Sequence, residues 1–500
     1  MLWKRRQIQM STHRHSKKYK SRQYIAKANV LEKNLAGKLI VLLQLLMTVV
    51  FTAVIWNSGM VPGTYIAVLF VVLLILFGVM FGLQFVKNKL FILGIVLSVL
   101  ISIVLGIATF YVYRADKMLA DVGGATYKTD NMIVVVRKDD SAENILDAKD
   151  YKFGTQTTLD QENNQLMLED IEKVIGQAPD LEEFESVQEV GQALLDGEIG
   201  AAVYNEAFTG IIEDAIEGYS DQVRILYQYG IETEIEPEDT TVSVDEPFNI
   251  YISGIDVAGP ITTNSRSDVN IIMTVNPNTH KILLTTTPRD YYVTLPGISG
   301  GQRDKLTHAG IYGVDVSMAT LENIYGIDIT YYARVNFTSL VKIVDALGGV
   351  DVNSEYSFEA GGYQFTEGPN HLNGEQALAF SRERHSFASG DNQRGKNQEA
   401  VLTAILRKAM SPAMLVNASQ LITSVSDSVE TNMTRTEMAG FINKQLSEAS
   451  SWDIESVAAV GTGDNQACYS SGSQLLYVMW PDDASTSEIS EKMQQVLSGK

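Results

Sequence analysis

The chain has 500 residues and a formal net charge of −21 at pH 7, so it is longer than one ordinary domain and acidic overall. Its single cysteine, Cys468, excludes an internal disulfide and a cysteine-based metal centre. Charge is unevenly divided: Met1 to Tyr113 holds 13 Lys+Arg against one acid, Glu32, a net of +12 that leaves −33 for Arg114 to Lys500, which points to a membrane or polyanion boundary rather than one soluble body.

Residues 1–38 form a polar arm carrying eleven of those basic residues. Three uncharged apolar runs follow, 39–56, 64–86 and 90–113, each able to cross a hydrocarbon layer at about 20 residues per helix. The region 39–113 is therefore predicted as three transmembrane helices; three closely spaced runs do not match a cleaved signal peptide. Basic residues in the arm and at Lys87 and Lys89 place these segments in the cytoplasm and the uncharged connector 57–63 outside. After an odd number of spans, everything beyond Tyr113 is expected outside. The arm has no helix-turn-helix pattern and membrane topology accounts for its charge, so no nucleic-acid partner is expected.

Residues 117–240 are predicted as a small α/β accessory domain, with strands at 132–136, 200–203 and 223–226 and helices at 166–175 and 187–195. Such alternation favours a partly parallel sheet. No nucleophile or metal constellation is evident there, so its expected role is accessory or binding. An acidic linker, 231–246, leads to a third domain, 247–500, which opens with a strand at 248–253.

Asp268 begins a strand at 269–275, Asn276-Pro277-Asn278-Thr279 signals a type I turn, and 281–287 is the return strand. Centring the hairpin there brings Asp268 opposite residues 287–289, so Asp268 and Arg289 are expected to meet. Asp256, one loop earlier, can return to the same end. Two carboxylates and an arginine at a sheet end suit a hard cation and a phosphate. Oxygen ligands suit Mg²⁺, and Mn²⁺ accepts them as well. The plainer alternative is a surface salt bridge worth about 0–1 kcal/mol.

Farther on, His308 is expected to be structural. A strand at 331–335, an Asn336 cap and a helix burying Phe337, Leu340, Val341, Val344 and Leu347 end at Gly348-Gly349; a strand resumes at Val350. Arg382, Arg384, Arg394 and Lys396 then fall within fifteen residues. Read as an extended segment, Arg382 and Arg384 point to one face; Arg394 and Gln398, four apart, share the first-turn face of a helix. Strand-end arginines against a helix N-terminus make an anion clamp suited to phosphate. The alternative is a solvated basic loop paired with Glu383 and Asp391. Beyond it, 417–446 reads as helical, 457–460 and 475–480 as strands, and 485–497 as a capped helix.

These blocks carry a resemblance. TTPRDYYV (286–293), KLTHAGIYG (305–313), VNFTSLVKIVDALGGVDV (335–352) and GEQALAFSRERHSFASGDNQRGKNQ (374–398) together resemble the LytR-CpsA-Psr family over a core of about 248–410. Several ordered blocks are far more specific than one short motif. The resemblance implies an α/β catalytic domain with a central mixed sheet, preceded here by the three-helix membrane region and the accessory domain.

It also implies a metal-dependent phosphotransferase that moves capsular polysaccharide, as glycan phosphate, from a polyprenyl-pyrophosphate carrier to peptidoglycan, with other capsule-assembly proteins as further partners. The family's metal carboxylates fall on Asp256 and Asp268. Its pyrophosphate-binding residues fall on Arg289, Arg382, Arg384, Arg394 and Gln398, with Arg266 and Lys305 beside them. Arg289 and Arg384 are the expected catalytic cations, and Asp391 or a metal-site carboxylate the proton acceptor. Many members place a basic residue soon after the second arginine of this block, whereas here His385-Ser386-Phe387 follows Arg384. Two other readings are a pyrophosphatase, with water as acceptor, and a membrane regulator that binds lipid-linked glycan.

Overall fold

The computed structural model describes residues 35–86, 89–122, 127–234, 243–255, 261, 263–387, 390–411 and 429–500. Two compact units emerge, 1–117 with 442–447, and 118–441 with 448–500. The first holds helices α1 (Leu35–Ser58) and α2 (Gly63–Leu83) and most of α3 (Leu90–Val122), and all three are long and apolar enough to cross a membrane. Phe51, Ile55, Ile66, Leu73 and Leu105 pack together between them, while Leu42, Val68 and Ile103 face outward, as suits side chains solvated by lipid. Helix α3 continues past the predicted end at Tyr113, because no Gly or Pro interrupts the chain before Gly123. The basic arm through residue 34 and the pair 87–88 lie outside the described residues.

The second unit begins with a five-stranded sheet. Its members are β1 (Tyr127–Arg137), β2 (Lys152–Gln156), β3 (Asp180–Phe184), β4 (Ala201–Asn205) and β5 (Val223–Glu234), in the order β3-β2-β4-β1-β5. β2 lies parallel to β3 and β4, and β1 antiparallel to β4 and β5. Alternation along β1 sends Met132, Val134 and Val136 to one face, under α4 (Gln161–Ile175). Ile133 and Val135 go to the other, under α5 (Val187–Asp196) and α6 (Thr209–Ala215). The short helix α7 (Tyr219–Gln222) leads into β5. Two elements differ from the sequence reading: β3 is too acidic to show a strand pattern, and β5 takes up Ile231–Glu234, which read as linker.

A six-stranded mixed sheet follows, ordered β16-β11-β6-β7-β8-β17. Its strands are β6 (Phe248–Ile255), β7 (Ser267–Asn276), β8 (Lys281–Thr286), β11 (Tyr331–Val335), β16 (Val429–Thr431) and β17 (Asp453–Ala458). β11 pairs parallel to β6 and β17 parallel to β8, while β6-β7-β8 is an antiparallel meander. Between β8 and β11 come the ribbon β9 (Tyr292–Thr294) and β10 (Arg303–Lys305), then α8 (Leu306–Tyr312) and α9 (Val314–Tyr325).

Tyr251, Ile272 and Leu283 face a core with α8, α9 and the terminal helix. On the other side Ile271, Val275, Ile282 and Leu284 meet Leu402, Leu406 and Phe441. A satellite core joins α10 (Phe337–Ala346), α11 (Gly374–Arg382) and α12 (Asp391–Ala409) to β12 (Val350–Ser354), β13 (Phe358–Ala360), β14 (Tyr363–Phe365) and β15 (Gly368–Leu372). Helix α13 (Arg435–Glu448), the hairpin β18 (Gly461–Ala467) and β19 (Leu475–Pro481), and α14 (Asp483–Leu497) complete the chain. Of the predicted 417–446 helix, 417–428 lies outside the described residues, 429–431 is instead the edge strand β16 paired with β11, and the helix begins at Arg435.

Candidate active site

Arg382 and Arg384 do not lie on a strand. Asn373 and Gln376 form a capping box that starts α11, and Ala377, Phe380 and Ser381 bury one side of it. Arg382 is therefore the last residue of a helix, and the chain turns extended only at Glu383. The spacing of two suggested a strand face; the cap and the helical spacing of the buried residues override it. Arg382, Arg384, Arg394 and Gln398 nevertheless line one cavity of about 480 Å³.

That cavity is built on the sheet face opposite Tyr251. Ile252 on β6 and Ile271 on β7 form its floor, Phe337, Leu340 and Ile343 on α10 one wall, and α12 another. On α12, Arg394, Gln398, Val401, Leu402 and Ile405 all face it. These positions are spaced 4, 3, 1 and 3 apart, one stripe of a helix. The stripe changes from cationic and polar to apolar over eleven residues, about 16 Å at 1.5 Å per residue. The residues expected to bury the face of α10 thus divide: Val344 and Leu347 enter the satellite core, Phe337 lines the cavity, and Leu340 lines the cavity while packing against that core. Leu372, Ala377 and Phe380 are packed in that core.

At the polar end, Asp268 of β7 accepts a hydrogen bond from Arg289 Nη1 at 2.9 Å and from Thr307 Oγ1 at 3.2 Å. Thr307 in turn donates its backbone N–H to the Arg289 carbonyl at 2.8 Å. Burial works to raise the Asp268 pKa, but the guanidinium groups of Arg289, Arg266 and Arg394 hold it below the ordinary carboxylate value. Lys305 Nζ lies 3.2 Å from Asp290 Oδ1 and 3.9 Å from Asp214 Oδ2, and Arg266 Nη1 is 3.5 Å from the same Asp214 oxygen. Arg382 stacks over the Phe337 ring, 4.1 Å from its centroid, so the ring fixes the guanidinium at the junction of polar and apolar walls.

Arg266, Arg289, Arg382, Arg384, Arg394, Gln398 and Asp268 thus share the cavity, with Lys305 held beside it through Asp290 and Asp214. Asp256 lies outside the described residues. Asp391 is the first residue of α12, and only its backbone is described. Among the described residues no group of three metal-ligating side chains occurs, but an ionised carboxylate beside a hydroxyl, Asp268 with Thr307, is the donor chemistry a hard cation takes.

Asp214, Asp290 and Thr307 were not singled out in sequence, while Phe337 was expected only as a core residue and His385 only as a departure from the family block; both line the cavity. Asp290 and Thr307 sit beside motif residues already noted, whereas Asp214 comes from helix α6 of the accessory domain and leaves no local signal. His308 is fully buried, with Nδ1 2.7 Å from Asp304 Oδ1 and 2.8 Å from Ser470 Oγ, a structural setting. Glu399, one residue past Gln398, is buried, which pushes its carboxyl up to about 7 against the opposing hydrogen bonds of Thr286 and the weaker pull of Lys396.

The profile of the LytR_cpsA_psr family matches residues 215–493, just over half the chain. A second profile, described as DNA polymerase processivity factor, matches 86–204. From Tyr127 to Tyr204, that stretch carries 18 acidic against 6 basic residues, a balance unsuited to a nucleic-acid backbone.

Two proteins named polyisoprenyl-teichoic acid–peptidoglycan teichoic acid transferase TagU are similar. The one from Bacillus mycoides is 35% identical over 242 residues, covering 48% of this chain and 76% of the relative. The one from Enterococcus faecalis is 37% identical over 195 residues, covering 39% and 64%. Among solved structures, B. subtilis TagV aligns at 27% identity with a TM-score of 0.44, over 51% of this chain and 98% of that one. The ordered motifs and the profile match over more than half the chain make this protein a member of the LytR_cpsA_psr family.

Proposed function

We propose that the protein is a membrane-anchored phosphotransferase that moves a glycan phosphate from a polyprenyl-pyrophosphate carrier to peptidoglycan, with its large C-terminal region outside the cell. The observation that carries this reading is the α12 stripe. Arg394 and Gln398 meet a pyrophosphate where Val401, Leu402 and Ile405 begin an apolar path, and α10 repeats the change from Arg382 on Phe337 to Leu340 and Ile343. A ligand with a dianionic head and a branched hydrocarbon tail matches both ends. The names of the two relatives, polyisoprenyl-teichoic acid–peptidoglycan teichoic acid transferases, support a polyisoprenyl-linked polymer as donor and peptidoglycan as acceptor.

In the reaction, an acceptor hydroxyl of peptidoglycan attacks the phosphorus nearer the glycan. A new P–O bond forms, the bond to the bridging oxygen breaks, and polyprenyl phosphate leaves. Phosphoryl transfer needs mainly positioning and charge neutralisation, which Arg289, Arg382, Arg384 and Arg394 supply, and Asp391 takes the hydroxyl proton. A Mg²⁺ or Mn²⁺ ion would be held by Asp268 and Asp256 and would add charge neutralisation at the phosphates. If it is part of the site, chelation lowers the melting temperature of the wild type by a few degrees and leaves Asp268→Asn unchanged.

The polymer is proposed to be capsular, from the resemblance of the three-span, accessory-domain layout to capsule-locus members of the family. The test uses the full chain in detergent with a lipid-pyrophosphate glycan and peptidoglycan fragments, and mass spectrometry of the products. A covalent glycan-phosphate-peptidoglycan product, lost in Arg289→Ala and Arg384→Ala, is expected. Free glycan phosphate alone would instead establish a pyrophosphatase. Lipid that is bound but unchanged, with a competent acceptor, would establish a binding regulator.

A further inference from the structure

The accessory sheet is joined to the cavity at Arg266. The segment that carries Arg266 is hydrogen-bonded to strand β1: Asn264 donates its backbone N–H to the Thr129 carbonyl at 3.0 Å and its side-chain amide to Asp130 Oδ1 at 3.0 Å, and Thr263 bridges Thr129. From the opposite side, α8 inserts Ile311 into the accessory core that also holds Ile211 and Ile212 of α6. Helix α6 is thereby fixed against the catalytic sheet.

One face of α6 is shaped for the guanidinium. Gly210 and Asp214 are one turn apart, so both lie toward Arg266. A Cβ at position 210 would come within 2.6 Å of Arg266 Nη2, so only glycine leaves room for the side chain to lie across the helix. Asp214 supplies the charge, 3.5 Å from Arg266 and 3.9 Å from Lys305. Arg266 is only 18% exposed and Lys305 9%, so neither swings freely in solvent.

We infer that the accessory domain completes the pyrophosphate site: Gly210 and Asp214 of α6 are positioning residues that seat Arg266, and through Asp214 also Lys305, where the carrier's phosphates bind. The inference rests on the lipid-carrier reading above. It assigns the accessory domain a part in substrate binding. The seat needs space as well as charge, and each requirement can be removed separately. Gly210→Ala displaces the flexible end of Arg266 without burying a new polar group or opening a cavity, and alanine is the better helix former, so the fold is retained.

The experiment is calorimetric titration of the full-length protein in detergent with geranylgeranyl pyrophosphate, together with melting temperatures of every variant. Gly210→Ala is expected to weaken binding about tenfold, the scale of one lost charge-assisted contact, and Asp214→Asn about threefold, both with an unchanged melting temperature. Because Gly210 acts through Arg266 alone, Gly210→Ala should not weaken binding further when Arg266 is already alanine, whereas Asp214→Asn should retain only the smaller part that runs through Lys305. Wild-type affinity in Gly210→Ala and Asp214→Asn, or full additivity with Arg266→Ala, would overturn the inference. Arg289→Ala and Arg384→Ala are run alongside. If the wild type fails to bind the probe, or binds it no better than these two variants, the carrier reading itself falls.

Discussion

Arg289 and Asp268 are the most consequential pair. Asp268 is held ionised mainly by the Arg289 guanidinium against the cost of burial, and its depressed pKa adds stability above the ordinary carboxylate value that is lost as pH falls. Arg289→Ala should therefore remove activity and also cost about 1–3 kcal/mol at pH 7, the penalty for an unpaired buried carboxylate, read by denaturant unfolding. Glu399 has the opposite sign. Its folded pKa of about 7 lies above the ordinary 4.5, so the native state holds a proton that the unfolded chain releases, and stability falls as pH rises through that window. Glu399→Gln should abolish this component, worth up to about 3 kcal/mol, and flatten the stability curve between those values. The Asp268–Arg289 meeting was legible in sequence because a hairpin turn sets cross-strand register by counting. Glu399 was not, since burial depends on how α12 lies on β8.

At the scale of elements, α10 and α12 do the sorting between head and tail. Leu340 projects from α10 into the apolar part of the cavity, so Leu340→Trp should fill it. Binding of a long prenyl pyrophosphate is expected to fall more than about tenfold, while inorganic pyrophosphate, held by the arginines, binds as before. Equal loss of both ligands would mean that the cavity is not the tail site. Helix α10 was readable down to its cap: Asn336 accepts from the Ser339 N–H at 2.9 Å, a strong local start signal followed by helical spacing. The Arg382–Arg384 segment reads as extended because a spacing of two fits a strand face, but the Asn373–Gln376 capping box, three residues apart, starts a helix that runs through Arg382. Strand β3, with its sequence DLEEF, has no apolar alternation; it pairs with β2 at the sheet edge and packs Phe184 against the accessory core.

For the whole molecule, the three apolar helices and the charge asymmetry lead to one expectation: alkaline phosphatase fused after Lys500 should be active, and a silent but well-expressed fusion would reverse the orientation. The sequence by itself determined the membrane segments, the hairpin that joins Asp268 to Arg289, the cap of α10 and the family, because each depends on periodicity, turn chemistry or ordered motifs within a short stretch of chain. Only the tertiary structure decided that Phe337 lines a cavity, that Leu340 lies between it and the core filled by Val344 and Leu347, and that Asp214 reaches Arg266 from helix α6 of the accessory domain. Those outcomes depend on which faces meet after packing, and contacts between residues far apart in the chain leave no local pattern to read.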